Sequence, residues 1–152
     1  MDALNAMKTL PITDHHRNII EPEWLARSAV VHRQLRPHLP ADYVARMQEV
    51  IAGGAEMVVV ADAEQVLGIS VFRMLDRTFN GREMYCDDLV ADDTKRSTGV
   101  GHMLVAYMEA LARERGCKVL TLDSGAQRQQ AHKFYFREGF TITAFHFVKP
   151  LI

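Results

Sequence analysis

The chain has 152 residues, 48% apolar and 24% charged, and its 18 Lys and Arg against 19 Asp and Glu leave a formal net charge of −1. That length suits a single domain, residues 1–152, with a core of its own, and the lack of a cationic surplus argues against a nucleic-acid partner. No apolar run reaches the length of a membrane span, and the stretch from Met1 to Met7, with Asp2 near its start, lacks the basic-then-apolar layout of a secretory signal.

A short strand is predicted at Lys8–Ile12. His15 and His16 have no further ligand-type residue at metal spacing, so a solvated loop suits them better than a metal site. Pro22 stands where a first-turn proline is tolerated, with Glu21 and Glu23 beside it. Trp24, Leu25, Val31 and Leu35 then give one helical stripe that ends at Arg36-Pro37. A second helix starts near Pro40, buries Tyr43, Val44, Met47, Val50 and Ile51, and stops at Gly53-Gly54. Met57–Val60 reads as a buried strand, Asp62–Gln65 as a turn and Val66–Leu75 as a second strand. Asn80-Gly81 is a strong turn signal into a third strand, Arg82–Val90, which completes an antiparallel meander. Helix Gly101–Arg115, strand Val119–Asp123, helix Gln129–Glu138 and strand Thr141–Val148 follow, with Gly116 and Gly139 at helix C-termini. Cys86 and Cys117 are isolated thiols without metal spacing, so no metal is expected and a reducing, cytoplasmic setting fits.

The most informative stretch runs from Met84 to Leu111. A strand carrying Asp87 and Asp88 feeds Arg96-Ser97-Thr98-Gly99-Val100-Gly101, a glycine loop that opens a helix whose apolar positions are Met103, Leu104, Tyr107, Met108 and Leu111. Unpaired N–H groups and the helix dipole make such a loop an anion site, and glycines let its backbone approach a phosphate closely. Lys95 and Arg96 add positive charge. A nucleotide P-loop would need Lys-Ser or Lys-Thr after its second glycine, which is absent. A dinucleotide loop would need a third glycine where Leu104 stands. Both fail, and a pyrophosphate of another kind is indicated.

The pattern Arg96-x-x-Gly99-x-Gly101 resembles the coenzyme A loop of the GNAT superfamily of N-acetyltransferases. Downstream, Ala131-x-x-Phe134-Tyr135-x-x-x-Gly139-Phe140 is similar to that superfamily's closing motif, and the two stand in the expected order. The resemblance covers roughly residues 55 to 148, and its tail is similar to small bacterial aminoalkylphosphonate N-acetyltransferases. It departs at Ala126, where many members carry Asn. It implies an α/β (α+β) GNAT fold: a mixed, mostly antiparallel sheet of six to seven strands, about four helices, and parallel fourth and fifth strands splayed around the cofactor. Only one strand's worth of residues follows Phe140, which leaves room for a homodimer in which a partner completes the sheet.

By the same resemblance, acetyl-coenzyme A is the co-substrate and a small-molecule amine the acceptor. Arg96, Ser97, Thr98, Gly99, Val100, Gly101 and His102 would hold the pyrophosphate, mainly through backbone N–H groups, although His102 also reads as a first-turn surface residue. Leu89 and Val90 would form a bulge that pairs with the pantetheine arm, and Phe134 would either contact the coenzyme or simply pack its helix. Transfer from a thioester to an amine needs no protein nucleophile, but the amine must lose a proton and the departing sulfur must gain one. Tyr135, a phenol protonated at neutral pH, is the expected acid. Asp87 or Asp88 is the expected base or amine anchor. Adjacent acids are poor strand formers, so their presence inside a strand marks a functional break, and strand alternation allows only one of them to face the site unless the strand bulges. Arg33, Arg36, His38 and Tyr43 are candidate substrate contacts from the first helices, or the charged ones are their wet face. Arg128, His132 and His146 are candidates from the tail. A protein N-terminus or lysine as acceptor, and a coenzyme-binding accessory module without turnover, are the alternative functions.

Overall fold

The computed structural model describes residues 6–95 and 98–152, which form two compact units, Met1–Thr121 and Leu122–Ile152. In chain order the elements are β1 (Lys8–Pro11), α1 (Pro22–Arg27), α2 (Ala29–Leu35), α3 (Tyr43–Ala52), β2 (Glu56–Ala61), β3 (Val66–Arg77), β4 (Gly81–Ala91), a 3-10 turn at Asp93–Lys95, α4 (Val100–Glu114), β5 (Val119–Leu122) and α5 (Gln129–Arg137).

The sheet has the order β1-β2-β3-β4-β5, antiparallel from β1 to β4 and parallel between β4 and β5. β2 is the buried centre: Met57 to Val60 are at most 1% exposed, as a strand covered on both faces requires. One face, with Met57, Val59, Ile69 and Val71, packs on Leu25, Val31, Tyr43 and Met47 of α1 to α3. The other carries Ser70, whose Oγ lies 2.9 Å from the Met108 sulfur of α4.

Local chemistry explains the joints. Asp62 Oδ1 accepts the N–H groups of Glu64 and Gln65 and closes the β2–β3 turn, while Gly81 takes φ 69° where β4 begins. Asp42 caps α3 by accepting the Ala45 N–H at 3.1 Å, so that helix begins at Tyr43 rather than near Pro40. The single helix expected from Trp24 to Leu35 is divided at Ser28, whose Oγ donates to the Trp24 carbonyl at 2.8 Å. This back-bond competes with the helical ladder and bends the chain. Gly68 is required by close approach: a Cβ there would stand 2.3 Å from Val100 Cγ1, so glycine lets the first turn of α4 rest directly on β3.

Among the described residues the sheet has five strands, not six to seven, and the divided first helix raises the helix count to five. The expected strand at Thr141–Val148 is absent, because its residues have no strand partner. Instead residues 141–152 carry no regular structure, and Ile142, Phe145, Phe147, Val148 and Leu151 are all exposed.

Candidate active site

The site grows from an irregularity in β4. Cys86 pairs with Phe72 and Asp88 with Val71, so Asp87 is an extra residue opposite neither. Such a bulge breaks the alternation of faces, and Asp87 and Asp88 consequently line the same cleft. The bulge lies upstream of the expected one: Leu89 and Val90 pair in regular register with Ser70 and Ile69. Two adjacent acids, disfavoured in a flat strand, are accommodated because the strand is not flat here.

Each carboxylate is braced. Arg73 of β3 forks onto Asp87, with Nε 3.1 and 3.0 Å from its two oxygens and Nη2 2.5 Å from Oδ2. Arg36, just beyond α2, reaches Asp88 Oδ1 with Nε at 2.8 Å and Nη2 at 2.6 Å. The other oxygen of Asp88 meets His32 of α2, whose Nε2 lies 2.7 Å from Oδ2. The opposite ring nitrogen, Nδ1, is 2.8 Å from the Tyr43 hydroxyl of α3. Burial pushes the Asp88 carboxyl up, but hydrogen bonds from His32 and Arg36 outweigh it and hold the group below the ordinary carboxylate range. Tyr43 is pushed well above an ordinary phenol by burial and then by the Asp88 charge, so it stays protonated.

The cleft has a volume of about 360 Å³ and is lined by the charged Arg36, Arg73, Asp87 and Asp88 together with the apolar Leu39, Val50 and Val71. Its charges balance, two guanidinium groups against two carboxylates. Cys86 faces away from it; burial pushes its thiol up to about 12, which leaves an inert thiol rather than a nucleophile.

Downstream of β4, the Asp93 N–H donates to Gln34 Oε1 of α2 at 3.0 Å, and Thr98 donates to the Lys95 carbonyl. Gly99 caps α4 with φ 90°, and among the described residues no atom lies within 4 Å of the place where its Cβ would be. At the start of this 15-residue helix the first-turn N–H groups and the positive end of the dipole suit an anion. Val100 is buried and His102 exposed on that turn. Arg96 and Ser97 lie outside the described residues.

In the second unit, α5 carries Phe134 and Tyr135. Their rings are 5.7 Å apart, and Phe140 packs edge-on to Tyr135 at 5.8 Å. Arg137 lies over the Phe134 ring. His132 Nε2 is 2.9 Å from the Gly125 carbonyl and straps the preceding loop to the helix. Arg128 is exposed at the start of α5, and His146 Nδ1 lies 3.3 Å from Asp123.

With this geometry in view, residues 17–140 match the acetyltransferase (GNAT) family. The chain belongs to that family. It is 31% identical over 141 residues to the uncharacterized N-acetyltransferase YhdJ of Bacillus subtilis, covering 90% of this chain and 99% of that one. Over 64 residues, 42% of each chain, it is 36% identical to the aminoalkylphosphonate N-acetyltransferase of Salmonella typhimurium. A solved aminoglycoside N-acetyltransferase, AAC(6')-Iy in complex with CoA, shares the fold with a TM-score of 0.79 over 97% of both chains at 17% identity. The GNAT chain is accordingly an acyltransferase of the N-acetyltransferase type.

Among the acceptor-side residues expected in this GNAT chain, Arg36, Asp87 and Asp88 meet in one cleft, with Tyr43 two hydrogen bonds behind Asp88 through His32. Arg33 does not join them. It donates to the Pro40 carbonyl at 2.8 Å and stacks over the Tyr43 ring, bracing the α2–α3 connection, and His38 is exposed on that connection. Sequence reasoning missed His32, Arg73 and Gly68. His32 carries the one available signal, a histidine next to Val31 in the buried stripe of α2. Among the described residues no cluster of His, Cys, Asp or Glu is suited to a metal, and no helix is long and apolar enough to cross a membrane.

Proposed function

We propose that this GNAT chain, working as one catalytic domain, transfers an acetyl group from acetyl-coenzyme A to the primary amine of a small molecule that also carries an anionic group. The observation behind this reading is the pair of carboxylates on one bulge, each matched by an arginine at the same cleft. A purely cationic amine binding Asp88 would displace Arg36 and leave a surplus positive charge. An amine with its own anion exchanges partners instead: its ammonium takes a carboxylate and its anion takes a guanidinium, so the charges stay balanced. The name of the Salmonella relative supports the same acceptor class.

Acetyl-coenzyme A supplies the acetyl group as an activated thioester. Arg96 to His102 are proposed to hold its pyrophosphate, a reading supported by Gly99, whose Cβ position meets no described residue, and Leu89, Val90 and Phe134 are proposed to contact the remainder. Asp88, with Asp87 beside it, anchors the ammonium. Because Asp88 is held ionised and weakly basic, the amine proton leaves through water rather than resting on the carboxylate. Tyr135 donates its phenolic proton to the departing sulfur, and Arg128 and His132 are further acceptor contacts. Both cysteines are free, which suits a reducing cytoplasm.

The exposed apolar segment from Ile142 to Leu151 supports a homodimer in which a second copy covers it. Light scattering should then show a dimer that becomes a monomer when the chain is ended at residue 138.

Thiol release from acetyl-coenzyme A with 2-aminoethylphosphonate, β-alanine, propylamine and a short peptide tests the acceptor. The two amines bearing an anion should exceed propylamine in kcat/KM by about tenfold or more, the worth of one hydrogen bond to a charge. Release with the peptide alone would move the acceptor to proteins. Coenzyme binding without release from any amine would favour the accessory module.

A further inference from the structure

We propose that His32 is a positioning residue for the acceptor amine: its ring holds one oxygen of Asp88 so that the other is presented to the cleft. This deepens the reading of the cleft as the acceptor site and rests on it.

The two oxygens of Asp88 are held by different kinds of partner. Oδ2 meets His32, a residue 2% exposed and fixed on both ring nitrogens. Oδ1 meets Arg36, whose side chain is 53% exposed, and an arginine at a wet rim is easily displaced. An incoming ammonium can therefore exchange with Arg36 at Oδ1 while His32 keeps the carboxylate from turning.

The hydrogen-bond chemistry places one proton of the histidine. An ionised Asp88 only accepts, so the proton between it and His32 resides on Nε2. Tyr43 stays protonated, and its hydroxyl pairs with Nδ1. The imidazole is thus satisfied at both nitrogens, and a chain of two hydrogen bonds runs from α3 through α2 to β4. Such buried networks rigidify when every member is paired.

The groups facing Asp88 are His32 of α2 and Arg36 just beyond it, Tyr43 from α3, Arg73 from β3, and Asp87 and Cys86 on its own strand. Burial opposes the charged carboxylate, and the bonds from His32 and Arg36 preserve it. Removing the His32 bond leaves burial in place, so Asp88 should protonate at higher pH.

The experiment compares wild type, His32→Gln, His32→Leu and Asp88→Asn, each confirmed folded by circular dichroism. One readout is steady-state kinetics with 2-aminoethylphosphonate. The other is a carbon-13 NMR titration of the Asp88 carboxyl, which needs no substrate. His32→Leu should raise the amine KM about tenfold, leave the coenzyme KM unchanged, and move the Asp88 titration upward. His32→Gln, which keeps a donor, should recover most of both effects. An unmoved Asp88 titration in His32→Leu, or equal losses toward amine and coenzyme, would overturn the proposal. If Asp88→Asn leaves the amine KM unchanged, the cleft is not the acceptor site and the reading beneath the proposal fails, whatever the Asp88 titration shows in His32→Leu.

Discussion

Replacing Gly68 by alanine places a methyl group where α4 already lies. The new Cβ would stand 2.3 Å from Val100 Cγ1, 3.1 Å from Leu104 Cδ1 and 3.2 Å from the Val90 carbonyl oxygen. Carbon atoms rest about 3.5–4.0 Å apart, so the start of α4 must retreat by about 1.2 Å, the difference between 3.5 and 2.3. Val100 cannot relieve the clash alone, because a β-branched side chain in a helix has one strongly preferred rotamer. Overpacking of this kind costs about 1–3 kcal/mol, less about 0.5–1 kcal/mol recovered from the lower chain entropy of alanine. Taken at the middle of each range, a net loss of about 1 kcal/mol lowers Tm by about 2–4 °C in a chain of this size.

The same displacement carries the Gly99 turn and the first-turn N–H groups with it, so acetyl-coenzyme A should bind more weakly. Calorimetric titration with acetyl-coenzyme A and thermal melting measure the two effects together. Val100→Ala added to Gly68→Ala removes the clashing methyl and should restore part of the coenzyme affinity, although it leaves its own cavity cost. A Gly68→Ala protein that melts within about 1 °C of wild type and binds coenzyme equally well would refute the argument that α4 is seated by that glycine.

Two other substitutions separate the chemical step from coenzyme binding. Tyr135→Phe should lower turnover by about 10²-fold or more, the scale of one general acid, with little change in coenzyme affinity; unchanged turnover in a stopped assay would remove Tyr135 as the acid. Gly99→Val should abolish measurable coenzyme binding while the chain still folds. Its Cβ meets no described residue, but φ 90° is a strained conformation for a β-branched residue. Normal binding in the calorimeter would mean the pyrophosphate lies elsewhere.

Signals carried by neighbouring residues were legible in the sequence. The run Met57–Val60 is buried as its composition demands, the Asp62–Gln65 and Asn80–Gly81 turns form where Asp and Gly chemistry places them, and α4 begins at the glycine loop. Where one local bond competes with another, the reading was less complete: Ser28 divides a helix whose apolar stripe continues through it. The segment Thr141–Val148 has the residues of a strand but not the structure of one, because a strand exists only in its pairing. Its composition could say that it needs a partner but not whether this chain supplies one.

Composition, turn chemistry and the glycine and Phe-Tyr motifs are properties of short stretches, and they determined the family, the element order and the carboxylates worth examining. Tertiary structure alone decided that Asp87 and Asp88 share a face, because a bulge is defined by the opposite strand. It also decided that Arg73 and His32 serve them. His32 lies 56 residues from Asp88 in sequence yet 2.7 Å away in space, and no local pattern encodes a hydrogen bond that forms only when α2 settles on β4.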